Sequence, residues 1–105
     1  MKTIFVIDAS DNVATVVVAP LQRGDAVRTN GRITDRQLTA LDDIAYGHKI
    51  ALQPIERGAT VQKYGLSIGR ATREIQAGEH VHTHNVESER GRGDLRSETA
   101  KGETR

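Results

Sequence analysis

A short pattern occurs four times in this 105-residue chain: an aliphatic residue, a glycine three positions later, and a valine or isoleucine three positions after that. The copies begin at Leu21, Ile44, Ile55 and Ile75. Glycine adopts a left-handed turn at little steric cost, so each copy predicts a core anchor, a tight turn and a strand that re-enters the core. The starts are 23, 11 and 20 residues apart, too irregular for a solenoid. The pattern therefore predicts one compact, mainly β domain.

The first twenty residues predict a β-hairpin. Residues 2–8 and 13–19 are rich in β-branched side chains, and turn-forming residues occupy 9–12 between them. Pro20 has no backbone N–H to give to a ladder, so we expect it to end the second strand.

The middle of the chain is patterned less clearly. Residues 35–44 fit either one face of a helix or an alternating strand. The β context favours a strand through Ala40–Leu41 and a turn at Asp42-Asp43. The other predicted elements are two strands and one helical turn, at 50–52, 61–64 and 71–76.

The last part of the chain has a different composition. Residues 87–105 carry ten charged side chains, five of each sign, and only two apolar residues. Such a segment buries too little surface to offset the entropy lost on ordering. The sequence therefore predicts a folded domain over 1–86 and a disordered tail over 87–105.

Composition argues against several classes of function. The chain has no cysteine, which excludes disulfides and thiolate metal sites. A net charge of +1 and three aromatic residues argue against nucleic-acid binding. The chain has no apolar run near the ~20 residues that cross a bilayer. No signal-peptide pattern follows Met1, so we expect a cytoplasmic protein without a membrane partner.

Three histidines, at positions 80, 82 and 84, form the densest group of metal-competent side chains. If this segment is a strand, alternate side chains share a face, and all three imidazoles point one way while Val81 and Thr83 point toward the core. Such a row suits a metal or a carboxylate ligand. The alternative is a solvated strand face that is rich in histidine. His80 is the least certain member, because it lies where the turn at Gly78 meets the strand.

Two further segments carry polar side chains beside glycine turns. On a strand, Lys63 and Tyr64 would face opposite sides, one offering a cation to a carboxylate and the other a hydroxyl donor. His48-Lys49 follows the turn at Gly47 in the same way. The alternative is an ordinary surface lysine beside a half-buried tyrosine. No spacing typical of a nucleophile and its base is present, so the sequence assigns no catalytic residue.

Taken in order, these motifs resemble a known domain. The series Gly47-His48-Lys49, Lys63-Tyr64-Gly65, Ile68-Gly69 and Val81-His82-Thr83-His84-Asn85 resembles the SAF domain of the altronate/galactarate dehydratase family, over about residues 1–86. The resemblance implies a β-clip fold of short strands and turns. In that family the domain either precedes a large catalytic region or forms a small subunit, and the small-subunit form is expected here.

The resemblance also implies a chemistry. Dehydratases of this family remove water from a sugar acid and leave a 2-keto-3-deoxy acid. The implied cofactor is a divalent metal acting as a Lewis acid, Fe²⁺ with Mn²⁺ as the alternative, shared with the large catalytic subunit. The related (2R)-sulfolactate sulfo-lyase eliminates sulfite, and its alpha subunit is the first alternative. Free-standing binding of a sugar acid or metal, or a purely structural adaptor, are the others.

Site residues follow from the matching positions. Metal binding is expected at His82 and His84, with His48 as a further candidate. Substrate binding is expected at Lys49, Lys63, Tyr64 and Asn85. An exposed strand edge would also allow the isolated chain to pair with itself.

Overall fold

The computed structural model describes residues 1–88, and all of their regular structure is β-strand. This confirms the predicted mainly β class. Within that range the strands are β1 (Lys2–Val6), β2 (Val13–Val16), β3 (Ala26–Gly31), β4 (Gln37–Thr39), β5 (Lys49–Ala51), β6 (Thr60–Lys63), β7 (Leu66–Ala71), β8 (His80–Val81) and β9 (Val86–Ser88).

The strands form two sheets. One has the order β4-β3-β1-β2-β5-β8, and the other has the order β6-β7-β9. β1 pairs in parallel with β3, and the other strand pairings of the described residues are antiparallel. The predicted opening hairpin is present as β1 and β2, with Ile4 opposite Val16. β2 ends at Val16, three residues earlier than predicted, and Val18 is exposed.

The four copies of the glycine pattern pair two by two. Leu21 bridges Ile44, and Ile55 bridges Ile75; in each bridge the two residues exchange both backbone hydrogen bonds, with N–O distances of 2.8 to 3.0 Å. The glycine of every copy has a positive φ, between 84° and 95°. Each copy therefore forms the predicted anchor, turn and strand, and the four copies make two bridged pairs, one in each half of the domain.

Two hydrophobic clusters lie on either side of β2 and β5. Val13 and Ala51 face one cluster, whereas the next residues, Ala14 and Ile50, face the other. Adjacent residues of a strand point to opposite faces, so both strands are buried on both sides. This central pair fixes the position of the residue that precedes β5, His48.

Three predictions of local structure are corrected. The helical turn at 71–76 is wrong: Ile75 is held in an extended bridge to Ile55, which a helical turn would break. The strand predicted through Ala40–Leu41 lies earlier, at β4, because the backbone N–H of Ala40 bonds to Asp25 and that of Leu41 to Gly78.

The third correction concerns the domain boundary. β9 continues through Ser88, two residues beyond the predicted boundary at Val86, because residues 86–88 pair with β7. The rest of the predicted tail, 89–105, lies outside the described residues.

A transmembrane helix is not found in the part of the chain that the structure describes.

Two glycines with matched backbone angles allow a test of the packing at the turns. Gly24 and Gly78 have φ values of +95° and +94°, but a Cβ added at Gly24 meets nothing within 4 Å, whereas one at Gly78 would lie 2.2 Å from the carbonyl oxygen of Thr39. Gly24→Ala should cost about 1–2 kcal/mol from the left-handed backbone alone. Gly78→Ala should cost about 1–3 kcal/mol more because of the clash. Urea unfolding would measure both, and equal losses would contradict this packing.

Candidate functional site

The pairing of β5 with β8 brings the candidate side chains together. The strands are antiparallel, with Lys49 opposite Val81 and Ile50 opposite His80. Side chains two residues apart on a strand share a face, so His48, just before β5, lies on the face of Ile50 and His80. His48 Nδ1 and His80 Nε2 are 2.9 Å apart and share a hydrogen bond. Lys49 and Val81 point to the opposite face.

Two more histidines complete a histidine cluster, defined here as His48, His80, His82 and His84. The rings of the first three are stacked, with centroids 4.2 to 5.5 Å apart and planes inclined by 11° to 19°. One nitrogen of each of these three rings lies within 4.8 Å of the others. His84 lies against His80, at 5.0 Å between centroids and a tilt of 38°. The structure thus brings the predicted candidates His48 and His82 together with His80, whereas the candidate His84 lies against His80 outside the three close nitrogens.

The histidines come together by a turn and not by the predicted strand. β8 ends at Val81, and the chain reverses over 82–85. Thr83 is exposed as a result, although the strand prediction pointed it toward the core. Because the chain turns, the ring of His84 leaves the stack while that of His82 stays on His48.

Asn85 holds this turn. Its side chain is fully buried; Oδ1 accepts a hydrogen bond from the backbone N–H of His82 at 3.0 Å, and Nδ2 donates to the carbonyl oxygen of His80 at 2.8 Å. The sequence predicted that Asn85 binds substrate. In the structure the amide is inside the loop, and both of its polar atoms are bonded to the backbone that carries the histidines.

Asp42 was missed as a functional residue by the sequence analysis, which predicted only a turn there. Its Oδ2 accepts a hydrogen bond from the backbone N–H of His80 at 2.9 Å. An aspartate in a turn is expected to cap a backbone N–H close in sequence. Nothing local in the sequence indicates a partner 38 residues away.

The electrostatics of the cluster favour neutral rings at His80 and His82. Burial lowers the pKa of His80, and the neighbouring His84, His48 and His82 lower it further against a smaller opposing effect of Asp42. The pKa of His82 is lowered by burial and then by His48, Lys49 and His84. Since each ordinary value is already below 7, both rings are mainly uncharged at neutral pH, and each neutral ring keeps one nitrogen lone pair for a ligand.

Lys49 lies beside His82, and the charge of Lys63 acts on Lys49. Lys49 is half-buried, and its pKa is lowered first by burial and then by the charge of Lys63. Among the described residues neither lysine forms an ion pair; the pair found there joins Lys2 to Asp25 at 2.9 Å. Two lysines without a carboxylate partner favour the binding of an anion nearby.

Tyr64 lies at the tip of a hairpin and not on a strand. Tyr64 and Gly65 have φ values of 62° and 73° and connect β6 to β7 as a two-residue turn. The backbone N–H groups of both donate to the buried carboxylate of Asp11, at 3.1 and 2.9 Å. Lys63 and Tyr64 were predicted on opposite faces; this is wrong, because Lys63 Nζ lies 4.9 Å from the centre of the Tyr64 ring.

Two neighbouring cavities connect these groups. A cavity of about 190 Å³ has mostly apolar walls and is bordered by Lys49 and His82. A second cavity, of about 390 Å³, lies beside Lys63 and Tyr64. Ile68 contributes to the walls of both. The predicted lysines, the tyrosine and His82 therefore border one continuous region of the surface.

The proximity of the two lysines can be tested directly. Lys63→Gln removes one cause of the lowered pKa of Lys49, so that pKa should rise toward its ordinary value and the amine should be acylated more slowly at pH 8 to 9. The rate is measured by mass spectrometry of peptides after timed labelling. Lys2→Gln is the matched control, because Lys2 pairs with Asp25 and should not affect Lys49. An unchanged Lys49 rate in Lys63→Gln would show that the two amines do not interact.

Comparison with known proteins gives the family of the chain. The model of the "Altronate/galactarate dehydratase SAF domain" family matches residues 2–89. The altronate dehydratase of Escherichia coli K12 is 48% identical over 80 residues, which are 76% of this chain and 15% of that protein. The altronate dehydratase of Bacillus subtilis is 38% identical over 88 residues, covering 84% of this chain and 17% of that protein.

A third relative is much shorter. The (2R)-sulfolactate sulfo-lyase subunit alpha of Chromohalobacter salexigens is 39% identical over 87 residues, covering 79% of this chain and 90% of that protein. The chain thus spans less than a fifth of either altronate dehydratase but nearly the whole length of this subunit. The chain belongs to the SAF-domain family of altronate and galactarate dehydratases.

Proposed function

We propose that this chain is the small subunit of a sugar-acid dehydratase of the altronate type, acting with a separate large subunit that carries most of the catalytic groups. The observation that supports the proposal is the coverage of the relatives: the alignment spans 90% of a sulfo-lyase subunit alpha but 15% and 17% of the two altronate dehydratases. A SAF domain of this size therefore occurs as a subunit in its own right. The subunit name also implies a multi-chain enzyme for that relative.

The substrate chemistry suits the two lysines. A sugar acid presents a carboxylate, and Lys49 and Lys63 are two cations without carboxylate partners among the described residues. The walls of the cavity beside Lys49 are mostly apolar, which strengthens a charge interaction relative to open water. Lys63 and the Tyr64 hydroxyl border the adjoining cavity, where further hydroxyl groups of the acid would lie. In this proposal the lysines bind the carboxylate of the substrate, and groups of the large subunit transfer the proton.

The histidine cluster suits the divalent metal of such an enzyme. Three imidazole nitrogens within 4.8 Å of one another are a donor set that Fe²⁺ accepts readily, whereas Mn²⁺ prefers oxygen ligands. The donor set therefore favours Fe²⁺ over Mn²⁺. The metal would supply Lewis-acid chemistry to the elimination. The contribution of this chain is to keep the rings of His80 and His82 mainly uncharged and to place His82 beside Lys49, so that the metal and the acid would lie near each other.

Sulfolactate is the second candidate substrate. It is favoured by the 39% identity to a sulfo-lyase subunit alpha across nearly all of that protein. Sulfolactate carries a carboxylate and a sulfonate, and two adjacent lysines match two anionic groups as well as they match one. The reaction would release sulfite and leave pyruvate, whereas a dehydratase would release water and leave a 2-keto-3-deoxy acid.

Purification of the tagged full-length chain from its own cells tests the proposal. We expect a second chain resembling the remainder of altronate dehydratase, and elimination activity of the pair on altronate, galactarate or sulfolactate. A 2-keto-3-deoxy acid would identify a dehydratase, and pyruvate with sulfite a sulfo-lyase. Recovery of the chain alone, as a monomer or as a homo-oligomer, without activity on any of these acids, would contradict the subunit proposal and favour a free-standing binding module.

The role of the lysines gives a sharper prediction for the assembled enzyme. Lys49→Gln and Lys63→Gln should each raise KM for the acid by about 10-fold or more, because a charge-assisted hydrogen bond contributes about 1.5–3 kcal/mol. Lys2→Gln, whose lysine pairs with Asp25, should leave KM unchanged. Steady-state kinetics with the natural acid measure all three variants. If the two site variants behave like the control, the lysines do not bind the acid.

A further inference from the structure

We propose that His48, His80 and His82 form a three-imidazole site for a borderline divalent transition metal, with Asn85 and Asp42 as positioning residues and His84 outside the ligand set. The proposal deepens the proposed function, since it names the ligands of the metal that the function requires. It also differs from the sequence prediction, which expected the metal at His82 and His84 with His48 as a further candidate and treated His80 as the least certain histidine of the row.

His48 and His80 already approach each other closely enough for two ligands of one ion. Their facing nitrogens are 2.9 Å apart. Two imidazole nitrogens that each lie about 2.1 Å from one ion are separated by roughly 3.0–3.4 Å. In the present hydrogen bond one of the two nitrogens carries a proton. A change of tautomer moves that proton to the other nitrogen of the same ring, so both lone pairs can face an ion without loss of a proton.

His82 supplies the third nitrogen. Its ring stacks on His48 with 4.2 Å between centroids, and the nitrogens of all three residues lie within 4.8 Å. Rotation of partly exposed side chains would bring the longest of these separations to a ligand spacing of about 3.4 Å. The group within this distance contains no carboxylate. An all-imidazole set favours Fe²⁺, Co²⁺, Ni²⁺ and Zn²⁺ and disfavours Mg²⁺ and Ca²⁺, which prefer oxygen ligands.

His84 has a different environment. It is exposed and packs at an angle of 38° against His80, and it does not belong to the group of three close nitrogens. It is therefore a natural control: it has the same chemistry, lies on the same loop, and differs from the proposed ligands in position.

The backbone of the two loop ligands is fixed by two polar side chains. The buried amide of Asn85 binds the carbonyl oxygen of His80 and the N–H of His82, while Asp42 binds the N–H of His80. Three backbone atoms on His80 and His82 are thus held by groups that do not touch the ring nitrogens. Groups that orient metal ligands in this way typically change metal affinity by about 10- to 100-fold when they are removed.

The site is tested on the full-length chain, stripped with a chelator and free of any histidine tag. Calorimetric titration with Zn²⁺ and Co²⁺ should show one ion per chain, and Mg²⁺ and Ca²⁺ should show no binding. His48→Ala, His80→Ala and His82→Ala should each weaken binding by at least tenfold, whereas His84→Ala should change it by less than threefold. Absence of Zn²⁺ and Co²⁺ binding, or an equal loss in His84→Ala, would overturn the ligand assignment.

The positioning residues need a measurement that a general loss of stability would not change. Asp42→Ala and Asn85→Asp should weaken Co²⁺ binding by about 10- to 100-fold and alter its visible absorption bands, which depend on ligand geometry. Asp42→Asn is the matched control, because the amide oxygen still accepts the hydrogen bond from the His80 N–H, and it should retain most of the affinity. Thermal unfolding of the metal-free variants identifies any variant that fails to fold, and Asp42→Ala, a change of a partly exposed side chain, keeps the test decisive if Asn85→Asp does not fold. Wild-type affinity and spectrum in a folded Asp42→Ala variant would overturn the positioning role.

The metal-binding result and the test of the proposed function can succeed or fail independently. If the stripped chain binds no transition metal but the purified complex eliminates water or sulfite, this inference fails and the subunit function stands. If the chain binds one ion at the three histidines but no partner or elimination is found, the site stands and the subunit function fails.

Discussion

The antiparallel pairing of β5 with β8 is the interaction on which the candidate site depends. It sets Ile50 opposite His80 and Lys49 opposite Val81. Because successive residues on a strand point to opposite faces, this single pairing directs imidazoles to one face and a lysine to the other. His82, just beyond the end of β8, contacts His48 and also borders the cavity of Lys49. A slip of one residue in this register would separate the histidines and move Lys49 away from its cavity.

The register itself is fixed by the paired glycine turns. Each bridge between two copies of the pattern holds the anchors of two turns together, so the strands that leave those turns have little freedom to shift. Gly78 shows how tight the arrangement is, because the space a side chain would need is filled by the carbonyl oxygen of Thr39. The same turns that make a small core possible therefore also position the residues that follow them, among them His48 and His80.

Much of this could be predicted from the sequence, because the relevant signals are local. The glycine pattern predicted short strands and turns, and the β-branched runs predicted the opening hairpin. What could not be predicted depends on contacts between distant residues. The bridge between Ile75 and Ile55 overrides the helical preference of residues 71–76. The hydrogen bond from the backbone N–H of His82 to the Asn85 side chain stabilises a turn where the alternating side-chain pattern predicted a strand.

The site was predicted in part for the same reason. The resemblance implied His48, His82 and His84 together with Lys49 and Lys63. The structure places His82 along one region of the surface with the two lysines, whereas His48 lies on the opposite face from Lys49. The carboxylates of Asp42 and Asp11 were missed, because each bonds to backbone N–H groups far away in sequence: 38 residues from Asp42, and 53 and 54 residues from Asp11. Tyr64 was placed on a strand because its positive φ depends on Asp11, which no local pattern reveals.

The proposed function requires the β5–β8 region to bind the substrate acid in the assembled enzyme. A structure of the chain in complex with its large subunit and a bound sugar acid or sulfolactate tests this requirement. We expect an anionic group of the acid within hydrogen-bonding distance of Lys49 or Lys63, in the region that His82 also borders. An acid bound elsewhere, with the β5–β8 region open to solvent, would contradict it.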